Sequence, residues 1–225
     1  MKIITKKCIL LVLILPMVFY FSCAPAYVPN VVNNPCFSEK GEFQASGHLG
    51  ISGFDVQSAY AVSKRWMLVA NASIMSDKSD ETNNYHRHVF GEMGGGYYIP
   101  MGKYGVAECI TGAGFGRINA YHASGVFQSF SNVMLTRAYV QPSLAFRSTY
   151  AELALSIRIA GLYVWQNDTD AWGSFWEPVV SLKLGSSAVK MVIQTGFSLP
   201  FGAVPFNYQP FILSVGIQVK PKSKM

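Results

Sequence analysis

Between residues 131 and 165 the chain alternates. From Thr136 the even positions are Thr136, Ala138, Val140, Pro142, Leu144 and Phe146, and the odd positions between them include Arg137, Tyr139, Gln141, Ser143 and Arg147. After the polar step Ser148-Thr149, Leu153, Leu155, Ile157 and Ile159 share one parity, and Glu152, Ser156 and Arg158 share the other. Side chains alternate sides along a strand, so the pattern predicts a hairpin with one apolar and one polar face. Soluble sheets alternate in the same way, so the hairpin alone does not decide what each face meets.

The pattern recurs along the chain. It predicts ten strands, at about 41–51, 53–63, 66–76, 87–99, 105–117, 131–147, 149–164, 176–185, 188–199 and 209–220, with eight as the alternative if 41–63 packs differently. In the late strands Val180, Leu182 and Leu184 alternate with Glu177, Ser181 and Lys183, and Leu213, Val215, Ile217 and Val219 alternate with Ser214, Gly216, Gln218 and Lys220. Short connections at 63–65, 100–103, 147–149 and 185–187 alternate with longer ones at 76–86, 118–130, 166–175 and 201–210, and the Ser52-Gly53 turn is the one tight turn on the long-loop side. Outer-membrane barrels have this layout, with short periplasmic turns and longer outer loops. The expected fold is therefore all-β, a single antiparallel transmembrane barrel over 41–220. Pro142 and Pro178 fall inside strands, where each removes a ladder donor, and bulges are expected there.

Residues 1–40 do not follow the pattern. A basic start, MKIITKK, precedes an apolar core from Ile9 to Phe21 and then Ser22-Cys23. That core is too short to span a bilayer but suits a signal peptide over 1–22. A small residue before a cysteine at the end of such a core points to lipid attachment at Cys23, through a covalent diacylglycerol and palmitate-type acylation. Cleavage after Ala24-Pro25-Ala26 is the competing reading. No acidic residue follows in Ala24-Pro25-Ala26-Tyr27, which points the anchor to the periplasmic leaflet. Residues 23–40 read as a lipidated tether and linker against the barrel base, and 221–225 as a basic tail. Cys36 and Cys109 either pair in an oxidising compartment or stay free.

Composition narrows the classes. Of 225 residues, 50% are hydrophobic and only 13% charged, where ordinary globular chains carry about 25%. Outside the leader no apolar run is long enough for a transmembrane helix. Three of the 18 basic residues, Lys2, Lys6 and Lys7, lie in the leader, leaving 15 against 12 acidic and a charge of about +3. That is too little and too scattered to argue for nucleic acid. A soluble barrel would put the apolar face inside and would need a density of outward Lys and Glu that this chain lacks. The economical assignment is apolar face to lipid and polar face to lumen. Tyr97, Tyr163, Trp165, Trp172, Phe175 and Trp176 fall near strand ends, as an interfacial aromatic girdle would.

Parity then sends Glu42, His48, Asp55, Glu92, Glu108, Arg137, Tyr139, Glu152, Arg158, Glu177 and Lys183 into the lumen. Unpaired buried charge is costly, so these acids and bases are expected to pair and plug the interior. Carboxylate pairs such as Glu92 and Glu152 suit acid–base chemistry in principle, but any polar lumen offers them, and no catalytic residues are expected. His86-x-His88 puts two imidazoles on one strand face at the end of a polar loop, too few for a metal set. Met93-Gly94-Gly95-Gly96 lacks the lysine and helix of a phosphate loop. Its glycines are expected to make room for a large neighbour such as Tyr139. No cofactor is expected.

Four blocks carry a resemblance. Cys23-x-Pro25-x-Tyr27-Val28-Pro29-Asn30, Glu39-Lys40-Gly41-Glu42, Gly53-Phe54-Asp55-Val56-Gln57-x-Ala59-Tyr60-Ala61-Val62 and Phe90-Gly91-Glu92-x-Gly94-x-Gly96-Tyr97-Tyr98 resemble small outer-membrane β-barrel lipoproteins of the Bacteroides phylum. The resemblance implies a lipoprotein and an outer-membrane barrel, and no activity. The expected function is an outer-membrane lipoprotein barrel with a largely plugged polar lumen and a structural or interaction role, with outer-membrane lipid as its partner. The alternatives are a passive pore or carrier for small solutes, and a soluble lipocalin-like periplasmic binder.

Overall fold

The computed structural model describes residues 25–78, 83–121, 123, 129–165 and 170–221. The leader, Cys23, Lys222 and Lys224 lie outside the described residues, so the readings made on them do too. The described chain is all-β. Its strands are β1 (Phe43–Gly50), β2 (Gly53–Ala61), β3 (Trp66–Lys78), β4 (Tyr85–Met101), β5 (Gly105–Tyr121), β6 (Phe130–Arg147), β7 (Ala151–Trp165), β8 (Ala171–Gly185), β9 (Val189–Phe197), β10 (Leu199–Pro200) and β11 (Phe211–Val219). Each pairs antiparallel with its neighbours, and β1 pairs β11, from Ala45 with Val219 to Gly50 with Ser214. With the β8–β9 and β9–β11 pairings this closes a ten-stranded barrel, to which the two-residue β10 is added. Closure pairs both sides of each of the ten long strands with a neighbour.

The expected parity holds strand after strand. Leu153, Leu155, Ile157 and Ile159 are exposed on the outer wall, while Glu152, Ala154, Ser156 and Arg158 are buried inside. The exposed charged residues within the described strands are Asp77, Lys78, Arg87 and Arg117, all toward the end of the barrel that carries the long connections. That end is called the loop rim below, and the other the turn rim. Aromatic pairs occur near both. Trp66–Tyr97 (5.1 Å between ring centroids) and Tyr104–Phe146 (5.5 Å) lie near the turn rim, and Tyr85–Tyr121 (5.7 Å) and Tyr163–Trp165 (4.7 Å) near the loop rim. Phe175 departs from the expected girdle. It is buried inside the barrel, because it has the inward parity of Glu177.

The prolines interrupt the ladder without bulging it. Between β6 and β7 the pairs at Gln141–Arg158 and Pro142–Ile157 are missing, and the same register resumes on either side. Pro178 pairs with Ile157, but the β8–β9 ladder begins only at Val179. Beyond Pro178, β10 takes up β8 again in the β9 register, with Leu199 opposite Trp176. The extra strand is thus the continuation of β9, separated from it where a proline brings no donor. Among the described residues β5 and β6 shift register once, between Ile118 and Ala120. The tight turn after β1 is made by Gly53 at φ +88°, where an added Cβ would also meet the Ile74 carbonyl at 2.4 Å.

Candidate functional site: the barrel interior

Residues 25–37 are not a linker against the barrel base. They run through the interior without regular secondary structure, and Val32, Cys36 and Phe37 are wholly buried. The physical reason is a need for partners. The segment cannot join the wall ladder, whose backbone groups bond one another, so its own carbonyls need donors from inward side chains. The wall supplies them. Arg158 Nη2 donates to the Asn30 carbonyl at 2.9 Å, Gln57 Nε2 to Val31 at 2.9 Å and Gln141 Nε2 to Asn33 at 2.8 Å. Lys183 Nζ donates to the Asn34 carbonyl at 2.5 Å and Arg147 Nη1 to Cys36 at 3.4 Å. Gln194 serves Val32 twice, accepting from its N–H at 3.0 Å and donating to its carbonyl at 2.7 Å.

Two charged clusters grip the segment. In the upper one Arg137 pairs with Glu92, and Arg158 Nε with Glu177 at 2.5 Å. Both arginines also donate to Asn30 Oδ1, at 2.6 and 3.0 Å. The Tyr27 hydroxyl donates to Glu177 at 2.7 Å and accepts from Arg137 at 3.1 Å. In the lower cluster Lys183 and Lys190 flank Glu152 at 3.2 and 2.5 Å. Asn34 Oδ1 accepts from Ser143 and Ser156 at 3.2 and 2.7 Å, and its Nδ2 donates to Ser181 at 2.9 Å. At the turn rim Lys220 pairs with Glu42, whose other oxygen accepts from Ser38 Oγ at 2.6 Å. Burial raises the Glu42 pKa, but the Lys220 charge and the Ser38 hydrogen bonds outweigh it and hold the carboxyl below its ordinary value.

All the strand residues assigned to the lumen by parity are buried inside, and Glu42 sits half-buried just before β1. They do not form one constellation. Glu92 and Glu152, the carboxylates considered for acid–base work, belong to different clusters and hold different cations. Asp55 accepts from Ser52 at 2.5 Å, and His48 contacts Ser46 at 2.9 Å. Glu108 faces the Cys36–Phe37 backbone with neither oxygen in a hydrogen bond of normal geometry. Tyr139 is buried between glycines as expected. A Cβ at Gly112 would lie 2.8 Å from its ring, and one at Gly94 3.2 Å from its hydroxyl. His86 and His88 are interior rather than surface polar groups, 2.7 Å apart, with His88 also 2.9 Å from Ser73 Oγ. No group of three or more metal-ligating side chains exists among the described residues. Cys36 and Cys109 are free thiols, one buried in the lumen and the other on the outer wall.

At the loop rim Tyr27 packs on Phe175 (5.0 Å), which packs on Tyr208 (5.1 Å) and Phe206 (6.3 Å). Beside Tyr27 a small cavity of about 20 Å³ is lined by Tyr27, Asn30, His88 and Arg137, about room for one water at most.

Parity alone missed the enclosed segment, Lys190 and the role of the glutamines. A signal was present in Gln44, Gln57, Gln141, Gln194 and Gln218, all inward and buried. Neutral amides that offer both a donor and an acceptor suit a backbone that needs both. The chain matches no protein-family model and no curated protein.

Proposed function

We propose that this chain is an outer-membrane β-barrel lipoprotein whose lumen is held shut by residues 25–37, with a structural or interaction role and no catalytic one. The observation that carries the reading is the inverted polarity of the wall. Large apolar side chains cover its outside between two aromatic rims, and its ion pairs lie inside. In water that outer wall would be an apolar patch far beyond the few hundred Å² that soluble monomers expose. In a bilayer it is the expected surface, and Leu153 to Tyr163 matches the 9–11 residues or so that a tilted strand needs. The resemblance to Bacteroides-type lipoproteins and the leader ending at Cys23 support the same reading. A lipocalin-like binder keeps its interior for a ligand, and here residues 25–37 occupy it.

Membrane fractionation and gel migration test the assignment. The protein is expected in the outer-membrane fraction, to need detergent for solubility, and to migrate differently before and after boiling. A protein that stays soluble without detergent and shows no such shift is a periplasmic soluble barrel instead.

A further inference from the structure

The interior segment has a direction. Ala26 N–H donates to the Asn207 carbonyl at 2.9 Å, and Tyr27 bridges Tyr208, both in the long 201–210 connection of the loop rim. Asn30 is held by Arg137 and Arg158 midway. The Cys36 carbonyl reaches Arg147 at the end of β6, and Phe37 meets Tyr98 at 6.0 Å, both at the turn rim. The chain therefore enters the barrel at the loop rim, descends through it, and turns into β1 at the opposite end.

We propose that the lipid on Cys23 inserts in the outer leaflet, at the loop rim, with the barrel's own lumen as the route of the N-terminus to that side. This rests on the outer-membrane reading above, in which the long loops face outward. The magnitudes decide the leaflet. Cys23 lies two positions before Pro25, a reach of about 7 Å. The apolar band of such a barrel is about 25 Å tall. A chain that enters the lumen at the loop rim cannot carry an acyl group across that band to the periplasmic leaflet. The absence of acidic residues after Cys23, which pointed to the periplasmic leaflet in the sequence, gives way to this distance.

The architecture makes the route practicable. No charged residue occurs from Ala24 to Phe37, so the segment brings no unpaired charge into the lumen. The seam joins β1, which directly follows the segment, to β11, the last strand. Closing that seam encloses the segment without drawing a free end through a finished barrel. The outcome is a plug fixed at both ends, by lipid at the loop rim and by β1 at the turn rim.

The test uses the full chain with one epitope inserted after Ala24, within 79–82, or after Met225. Antibody binding is read on intact bacteria and after permeabilisation. The first two epitopes are expected on intact cells and the third only after permeabilisation. A visible 79–82 epitope with a hidden one after Ala24 overturns this inference alone. A hidden 79–82 epitope with a visible one after Met225 reverses the orientation and overturns it too. Absence of the protein from the outer membrane overturns the reading beneath it. The lipid is read by placing a spaced protease site after Ala24. Protease on intact cells is expected to remove metabolically incorporated palmitate from the barrel. Label that stays until permeabilisation, or a wild-type protein that never takes up label, contradicts the inference.

Discussion

The wall and the segment it encloses satisfy the same backbone chemistry in opposite ways. The wall bonds backbone to backbone, in ladders of constant register such as the β4–β5 pairing from Tyr85 with Tyr121 to Met101 with Gly105. The 30–36 stretch bonds backbone to side chain, with partners such as Gln194, Gln141 and Arg158 more than a hundred positions away. A ladder tolerates almost any residue of suitable pattern, whereas an enclosed strand depends on particular residues of the wall. Substitutions that remove those residues should therefore cost more than comparable changes on the outer face.

The largest effect is expected at Arg158, which joins the two regions by bonding both Glu177 and Asn30. Arg158→Ala leaves a buried carboxylate without its cation and should destabilise the protein by about 3–5 kcal/mol, measured by denaturant unfolding in detergent micelles. An outer-wall control, Leu155→Ala, should cost clearly less in the same assay. Next comes Gln194→Ala. It strips the Val32 N–H and carbonyl of their partner and should cost about 1–3 kcal/mol for each group left unmet, with little change in circular dichroism because the ladder is untouched. Gly112→Val tests the wall itself. The added carbons collide with the Met93 carbonyl as well as the Tyr139 ring, at a cost of about 1–3 kcal/mol, read as a lower unfolding midpoint than the wild type in the same assay.

The smallest effect is the pH dependence from Glu42. Its folded pKa lies below its ordinary value, so its pairing with Lys220 stabilises the fold above the unfolded carboxyl pKa, roughly 4.3. That stabilisation is lost as pH falls through the folded pKa. Glu42→Gln should flatten the fall in unfolding midpoint below about pH 4.5. Identical acid profiles for the two proteins would remove Glu42 from the account.

The same contrast explains what could be read from the sequence. Each of the ten strands was legible, within a few residues, because period-two alternation is local and one face carries charge only near the loop rim. The charged lumen residues other than Lys190 followed from parity, and the glycines of β4 foretold the room made for Tyr139. The 25–37 segment was illegible because Pro-Asn-Val-Val-Asn-Asn-Pro has no period. Its order comes from residues such as Gln57 and Lys183, which only the closed barrel brings to it. The prolines misled in a narrower way. Pro142 and Pro178 break pairs as expected, yet the register holds, because neighbouring strands tolerate a missing donor without adding a residue. Phe175 was assigned by its place near a strand end rather than by its parity with Glu177, and parity decides which side a side chain takes.

The central claim is that the segment, and not the wall, keeps the lumen shut. Single-channel recording in planar lipid bilayers compares the full-length protein with a variant in which 25–37 is replaced by a Gly-Ser linker of equal length. The account predicts no steady conductance for the first and a stable open level for the second. Large, steady conductance from the full-length protein would contradict it.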